Sequence, residues 1–223
     1  MAHLAERVRF RLSRLWARLT GAKGRARGAA QARFRAAVAA LGPGDLAIDL
    51  GANLGDVSAV LAATGAEVIA FEPDPYAFGR LSERLGGLAN VRLMNAAAGD
   101  RAGVLPLYRH RDFDRAPERR SLASSLMADH AEVGAGPAAQ VEVLDFAAFV
   151  AGLGRDVALV KIDIEGAEVA LMEALLASPA AARIGLILVE THERALPGLA
   201  ARTRALRART RGQVRPEVNW DWH

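Results

Sequence analysis

Residues 47–56 combine two acids, two glycines and an amide in the order Ala-Ile-Asp-Leu-Gly-Ala-Asn-Leu-Gly-Asp. The residues there that could bind a ligand are Asp49, Gly51, Asn53 and Gly55. Apolar residues around Asp49 predict a strand, and the turn leads into a helix whose first N–H groups are free to bind a ligand. Glycine lets the backbone approach that ligand closely. The spacing matches neither the Gly-x-Gly-x-x-Gly of dinucleotide folds nor a P-loop, and Asp49 favours a ligand with a cationic or hydroxylated end. A turn that only joins a strand to a helix is the alternative.

A second apolar stretch, residues 67–72, also ends in an acid, Glu72, and Pro73-Asp74-Pro75 follows it. Glu72 comes roughly 20 residues after Asp49, the interval at which nucleotide-binding α/β folds place a carboxylate on ribose hydroxyls. Because proline ends a strand, Glu72 is expected at the carboxyl end of this one. A solvated turn acid is the alternative interpretation.

Apolar strands alternate with helices along the rest of the chain. Further strands are predicted at residues 90–95, 157–163 and 184–190, with a loop at residues 96–100 after the first of them. Residues 140–144 are also strand-like, and Asp145 is expected to cap a short helix through Val150. The nearly all-apolar residues 157–163 are typical of a strand buried in a parallel sheet. This alternation predicts an α/β, Rossmann-like fold with a mostly parallel sheet and helices on both faces.

Additional elements surround this predicted sheet within a domain of residues 42–223. Residues 104–108 predict an edge strand, since Pro106 cannot take a central place. Residues 109–136 are a polar insertion of a length that fits a substrate lid. Residues 194–223 predict a basic helix and a tail that adds one strand.

Composition bounds the class of protein. The 223 residues suffice for one domain with extensions, and the absence of cysteine excludes disulfides and thiolate metal sites. No apolar run is long enough to span a membrane, so a cytoplasmic protein is the expectation. The net charge of +4 is unevenly spread: residues 1–35 and 194–215 carry the basic excess, and residues 36–193 are acidic. The few aromatic residues argue against a stacking platform for single-stranded nucleic acid.

Residues 1–41 predict a helical extension that begins with a basic amphipathic helix. Apolar residues recur there at helical spacing, with arginines between them: Leu4, Val8, Leu12, Leu15, Trp16 and Leu19. Such a helix could pack on the domain, lie on an anionic membrane surface or bind nucleic acid. The partner that we expect is an anionic membrane, contacted peripherally through residues 1–20. Nucleic acid is the least favoured partner.

Polar residues recur where the predicted strands end. They are Asp49, Glu72, Asn95, Asp163 and Glu190. Ligands of open parallel sheets bind outside the carboxyl ends of the strands, where the strand order reverses. This shared position predicts a site more strongly than any one of the five residues does.

Taken together, the motifs resemble the FkbM family of S-adenosylmethionine-dependent methyltransferases over about residues 45–193. The matching stretches are residues 48–55, 70–74, 95–100, 121–125 and Lys161-Ile-Asp-Ile-Glu-Gly-Ala-Glu168. The resemblance implies a class I methyltransferase sheet, S-adenosylmethionine as cofactor, and methyl transfer to a hydroxyl, often on a sugar or glycan. The short stretch after Glu193 departs from the pattern, since it leaves little room for the antiparallel hairpin that usually closes such sheets.

The resemblance also implies which residues contact the cofactor: Asp49, Gly51, Asn53, Gly55, Glu72, Asn95 and Ala96. The four residues of the 49–55 turn would line the methionine and ribose side of the cofactor. Glu72 would bind the ribose hydroxyls, and Asn95 and Ala96 would lie near the adenine.

Asp163, Glu165 and His192 are the candidate catalytic residues, since methyl transfer to a hydroxyl requires removal of its proton. A carboxylate serves as that base only where burial or a like charge raises its pKa, whereas histidine begins with a suitable pKa. The same three residues could instead hold a divalent metal, but no further ligand is evident, so no metal is assigned. Glu165 could also simply cap the next helix.

Two other classes of protein fit parts of this sequence. A nicotinamide-dependent oxidoreductase is disfavoured by the missing third glycine and the absence of a Tyr-x-x-x-Lys pair. A non-catalytic module with a methyltransferase-like fold, docking on an anionic partner through its basic ends, is the main alternative. The intact acids at the strand ends argue against it.

Overall fold

A computed structural model of the protein describes residues 25–121, 124–130, 132–193 and 196–222. The predicted amphipathic helix within residues 1–20 lies outside the described residues. Elements are numbered below in chain order.

Nine strands occur in the described residues: β1 (Leu46–Leu50), β2 (Glu67–Phe71), β3 (Val91–Met94), β4 (Ala97–Gly99), β5 (Gly103–Leu107), β6 (Ala139–Asp145), β7 (Val157–Ile162), β8 (Ile184–Val189) and β9 (Glu217–Asn219). Six of them form one parallel sheet of order β3-β2-β1-β7-β8-β9. The strand order therefore reverses between β1 and β7, where open parallel sheets bind their ligands. The predicted α/β fold is confirmed.

The described helices are α1 (Arg25–Ala40), α2 (Asp56–Ala62), α3 (Pro75–Leu85), α4 (Pro117–Arg120), α5 (Phe146–Gly152), α6 (Glu168–Ala177) and α7 (Ala200–Arg209). Both faces of the sheet are covered. Ile48 of β1 packs with Phe146 of α5 and Leu171 of α6, whereas its neighbour Ala47 packs with Leu61 of α2 on the other face. Successive strand residues point to opposite faces, so an apolar β1 is buried on both sides.

The other three strands form a small second sheet of order β4-β6-β5. β5 is an edge strand antiparallel to β6, as Pro106 predicts. The prediction of a plain loop at residues 96–100 is wrong, because β4 lies there and pairs with β6. Asp145 ends β6 and caps α5 by accepting a hydrogen bond from the N–H of Ala148, as its residue type predicts.

The chain after β8 returns to the main sheet. β9 pairs with β8 in parallel, so the predicted extra strand is present, and it takes the place of an antiparallel hairpin in this part of the described chain. Trp220 and Trp222 are both buried. The ring of Trp222 lies 4.6 Å from that of Phe34 in α1, between centroids, and this contact joins α1 to the tail. The domain division at residue 41 stays a prediction.

Among the described helices, none has the length and apolar character needed to cross a bilayer.

Candidate active site

A cavity of about 580 Å³, including its mouth, opens at the carboxyl ends of the parallel strands. Six predicted site residues line it: Gly51, Asn53, Glu72, Ala96, Asp163 and Glu165. The other four lie outside its lining: Asp49, Gly55, Asn95 and His192. The fold therefore brings six of the ten predicted site residues to one cavity.

Gly51 joins the two turns on either side of the strand reversal. Its φ is +75°, and a Cβ there would lie 1.8 Å from the backbone oxygen of Asp163. Gly55 has a φ of +83°, and its Cβ would lie 2.6 Å from Cδ1 of Leu81 in α3. Both positions require glycine, but the close approaches are to protein atoms, so packing explains these glycines without a ligand.

Asp49 lies beneath the cavity. It is fully buried, accepts a 2.6 Å hydrogen bond from Ser58 Oγ and pairs with Lys161 Nζ at 3.2 Å. Lys161 donates to the backbone oxygen of Gly51 at 2.8 Å and lies 3.4 Å from Asp163 Oδ2. Burial alone would lower the pKa of Lys161, but the nearby negative charges of Asp49 and Asp163 raise it. The ion pair of Asp49 with Lys161 therefore stabilises the turn at Gly51, which lines the cavity.

Glu72 borders the cavity with its carboxylate already held by backbone. Oε2 accepts from the N–H of Asn53 at 2.7 Å, and Oε1 accepts from the N–H of Asp74 at 2.8 Å. Burial raises the pKa of Glu72 to about 7, although the two N–H donors lower it. Asn95 supports the same turn, because its Nδ2 donates to the backbone oxygen of Glu72 at 2.9 Å. Its side chain thereby braces the end of β2.

The insertion, residues 109–136, is fixed to the ends of three strands of the main sheet. Arg109 forms two hydrogen bonds with the buried Asp74 after β2, at 2.9 and 2.6 Å. Ser121 Oγ accepts from Nδ2 of Asn53 after β1 at 3.2 Å. Ser125 Oγ donates to the backbone oxygen of Glu165 after β7 at 2.6 Å. Ser121, Ser124 and Leu126 of the insertion also line the cavity. A role of the insertion as a substrate lid stays a prediction.

Four side chains, which we call the acid–imidazole cluster, meet beside the ends of β7 and β8: Asp163, Glu165, His192 and His130. One atom from each of the first three lies within 4.8 Å of the others. His192 Nε2 is 3.4 Å from Glu165 Oε2 and 3.8 Å from Asp163 Oδ1. His130 Nε2, from the insertion, is 3.3 Å from the same Glu165 oxygen.

Glu168, in the first turn of α6, orients this cluster from behind. It is 1% exposed, and its Oε1 lies 2.6 Å from His192 Nδ1. Its carboxylate also accepts from the N–H of Gly166 at 3.0 Å. A carboxylate only accepts, so Nδ1 carries the proton and Nε2 of His192 faces the cluster.

The electrostatics of the cluster favour proton transfer. Burial, together with the Asp163 charge, raises the pKa of Glu165 to about 8 against the opposing effect of His192. Burial alone would lower the pKa of His192, but the hydrogen bond with Glu168 and the nearby carboxylates raise it to about 10. Burial and the neighbouring His192 lower the pKa of His130. The pKa of Glu165 therefore lies near neutral pH, as suits a group that exchanges a proton during a reaction.

Three residues at this site were not among the predicted ones. Lys161 could have been noticed as a charge inside an otherwise apolar strand, and Glu168 belongs to a motif already singled out. His130 carries no sequence signal, because nothing in residues 109–136 indicates which side chain points inward.

A parallel sheet of order β3-β2-β1-β7-β8-β9 with acids at the carboxyl ends beside its reversal is the arrangement of Rossmann-like, nucleotide-binding enzymes. A family model for the methyltransferase FkbM domain matches residues 49–210. This match spans most of the chain, so the protein belongs to the FkbM methyltransferase family, whose cofactor is S-adenosylmethionine.

Other relatives match over shorter stretches. Over 80 residues the chain is 42% identical to ribosomal RNA small subunit methyltransferase A of Moorella thermoacetica, which corresponds to 36% of this chain and 24% of that protein. The chain thus spans about a quarter of the length of this curated relative.

Two solved structures match part of the chain. TYW2 of Pyrococcus horikoshii, in complex with MeSAdo, is 26% identical with a TM-score of 0.26, over 34% of this chain and 29% of that one. Phosphoethanolamine N-methyltransferase 1 of Haemonchus contortus, in complex with phosphoethanolamine and S-adenosylhomocysteine, is 18% identical with a TM-score of 0.23, over 40% and 22%. The family assignment rests on the family match and not on these partial similarities.

Proposed function

We propose that this chain is an S-adenosylmethionine-dependent O-methyltransferase whose acceptor is a hydroxyl on a sugar, glycan or related metabolite. One observation carries the proposal: Glu72, the candidate ribose ligand, and Glu165, a carboxylate whose pKa is raised, line the same cavity. A cofactor and a proton acceptor could therefore meet there.

In this proposal the cofactor lies over the turn after β1. Glu72 binds the ribose hydroxyls, Gly51 and Asn53 border the methionine side, and Ala96 borders the adenine. The roles assigned to Asp49 and Gly55 become indirect, because Asp49 acts through Lys161 and Gly55 acts through the packing of α3.

Glu165 is our candidate for the general base. The hydroxyl oxygen attacks the methyl carbon, the bond between that carbon and sulfur breaks, and the hydroxyl proton passes to the Glu165 carboxylate. The products are a methyl ether and neutral S-adenosylhomocysteine. A base whose pKa lies close to the working pH suits this step, and the Glu165 pKa of about 8 lies closer to neutrality than the His192 pKa of about 10.

Calorimetric titration with S-adenosylmethionine and S-adenosylhomocysteine tests the cofactor. Wild type is expected to bind both, and Glu72→Ala to weaken binding at least tenfold. Glu142→Ala, on the exposed side of β6, is the matched control and should bind as wild type does. Absence of binding by folded wild-type protein would favour the non-catalytic alternative.

A transfer assay then tests the acceptor. Methyl-labelled cofactor is incubated with a panel of sugars and glycans, and the position of the label is read by mass spectrometry. Label on a hydroxyl oxygen supports O-methylation, whereas label found solely on nitrogen or carbon would contradict it.

Residues 1–20 are part of the same proposal, as a peripheral contact of a cytoplasmic enzyme with an anionic membrane. Their alternating leucines and arginines support it. Flotation with vesicles that contain an anionic lipid, compared with neutral vesicles, should show binding by the full chain and its loss when residues 1–27 are deleted. Equal flotation of both proteins would remove this part of the proposal.

A further inference from the structure

His130 is a buried imidazole that faces the acid–imidazole cluster without a hydrogen-bond partner for its Nε2 among the described residues. The residue is 5% exposed. Its Nε2 points toward Glu165 Oε2 at 3.3 Å. A buried polar atom without a hydrogen bond is costly, and such an atom beside carboxylates is typical of a missing ligand or ion.

The distances within the cluster fit the coordination sphere of one metal ion. Nitrogen and oxygen ligands lie about 2.0–2.2 Å from such an ion, so two neighbouring ligands lie roughly 3.0–3.6 Å apart, and opposite ones about 4.2 Å. The contacts of Glu165 Oε2 with the two imidazoles measure 3.3 and 3.4 Å, and that between His192 and Asp163 measures 3.8 Å. Asp163, Glu165 and His192 each offer one ligand atom within 4.8 Å of the other two, whereas His130 joins this group through its contact with Glu165.

The surroundings of His192 are those of a metal ligand. Metal-bound histidines usually donate their second ring N–H to a carboxylate, and Glu168 accepts from Nδ1 here at 2.6 Å. That contact turns Nε2 toward two carboxylates. If His130 bound the ion through Nε2, its ring proton would have to sit on Nδ1. Nδ1 would then lose the 3.4 Å hydrogen bond that it accepts from the N–H of Glu132.

We infer that Asp163, Glu165 and His192 form a binding site for one divalent first-row transition-metal ion, with His130, whose Nε2 faces Glu165 without a hydrogen-bond partner in the described part of the chain, as the group that would complete its ligands. Two imidazoles with two carboxylates favour Mn²⁺, Fe²⁺, Co²⁺ or Zn²⁺ over the all-oxygen sites of Mg²⁺ and Ca²⁺. Asp163 and Glu165 line the cavity, so the ion is accessible from it.

The role of the ion rests on the proposed function, although its binding does not. An ion at this position lies beside the proposed place of the acceptor hydroxyl, whose pKa it would lower on coordination. Asp163 and Glu165 would then hold the ion and position the acceptor, and the hydroxyl proton would still pass to Glu165, through its carboxylate oxygen that does not bind the ion.

Titration of tag-free, EDTA-treated full-length protein with Co²⁺ tests the site, by calorimetry and by the visible absorption that Co²⁺ acquires on nitrogen ligation. We expect one ion per chain. His130→Ala and His192→Ala should each weaken binding at least tenfold, and Glu168→Gln should weaken it by a similar factor.

His110→Ala is the matched control. His110 is also a buried histidine of the insertion, but its Nε2 lies 3.0 Å from Arg120 Nη1, outside the cluster. This variant should bind Co²⁺ as wild type does. Thermal unfolding of every variant identifies any that fail to fold, and His130→Gln, which keeps a polar side chain of similar size, then replaces His130→Ala.

Failure of wild type to bind Co²⁺, Mn²⁺ or Zn²⁺, or unchanged affinity in folded His130 and His192 variants, would overturn the inference. Titration of the same preparations with S-adenosylhomocysteine separates this result from the proposed function. Cofactor binding without metal binding would retain the methyltransferase proposal and remove the metal site alone.

Discussion

Glu165 occupies a backbone conformation that non-glycine residues rarely adopt. Its φ is 52°, in the left-handed region, and Ser125 holds its carbonyl oxygen while the carboxylate contacts two imidazoles. Such conformations cost about 1–3 kcal/mol and persist where the surroundings hold them in place. The protein therefore gives up some stability to set this carboxylate beside the cavity.

Replacement of Glu165 by Gln tests what the carboxylate contributes. The amide cannot accept the hydroxyl proton and is a poor metal ligand, so turnover should fall by about 10²–10⁴-fold. Cofactor affinity should stay unchanged, since Glu72 is unaltered. Steady-state rates and calorimetry measure the two quantities, with Glu142→Gln as control. Near-wild-type turnover in Glu165→Gln would exclude a chemical role for this residue.

Gly51→Ala tests the close approach at the strand reversal. Because its Cβ would overlap the Asp163 carbonyl oxygen at a φ of +75°, we expect a loss of more than about 3 kcal/mol in the free energy of unfolding. Gly79 of α3 has open space around it, so Gly79→Ala should instead stabilise the protein by about 0.5–1 kcal/mol. Urea unfolding measures both, and equal effects of the two substitutions would contradict this explanation.

At the scale of elements, the insertion is attached to the sheet chiefly by polar contacts. Its largest anchor is the ion pair of Arg109 with Asp74, whose side chain is fully buried. Arg109 also lies over the ring of Phe113, 4.3 Å from its centroid. Burial would raise the pKa of Asp74, but the hydrogen bonds from Arg109, the N–H of Tyr76 and Ser124 together outweigh it and lower the pKa. The position of the covering element thus depends on one buried charge.

Arg109→Ala should release this anchor. An unpaired buried carboxylate costs about 3–5 kcal/mol, so unfolding should become easier and proteolysis within the insertion faster. Since the pKa of Asp74 is lowered, the pair stabilises the fold above the usual pKa of aspartate, and the difference from wild type should shrink as the pH falls through the lowered pKa. Arg115→Ala is the control, because the Arg115 side chain is 84% exposed. Equal protease sensitivity of the two variants would contradict the anchoring role.

At the scale of the whole molecule, acids are concentrated where all the parallel strands end. Burial there raises the pKa of Glu72, Glu165 and Glu190 together. Each of these groups binds protons more tightly in the folded state than in the unfolded chain. Folding stability should therefore fall as the pH rises through neutrality, before any ligand binds.

Glu72→Gln isolates one of these contributions, away from the acid–imidazole cluster. The folded pKa of about 7 exceeds the ordinary 4.5, so the Glu72 contribution is complete below pH 4.5 and lost above pH 7. The stability of wild type relative to Glu72→Gln should decrease by roughly 2–3 kcal/mol between pH 5 and pH 8. Urea unfolding at several pH values measures this difference. A pH-independent difference, as expected for the exposed Glu142→Gln, would contradict the buried-charge explanation.

The amino-acid sequence by itself determined the strand and helix alternation, the parallel sheet and the position of Asp163, Glu165 and Glu72 near its carboxyl edge. These features depend on local periodicity and on the geometry of parallel strands, which neighbouring residues specify. The edge strand at β5 and the cap at Asp145 follow from the chemistry of proline and aspartate in the same way.

Only the tertiary structure decided which acids reach the cavity and what meets them. Asp49 and Glu72 both fall at strand ends, yet Asp49 turns to Lys161 beneath the floor while Glu72 lines the cavity. His130 joins Glu165 only because the insertion folds back over the sheet. Which way a side chain faces, and which distant loop packs against it, depends on contacts between segments far apart in the chain, and these leave no local pattern in the sequence.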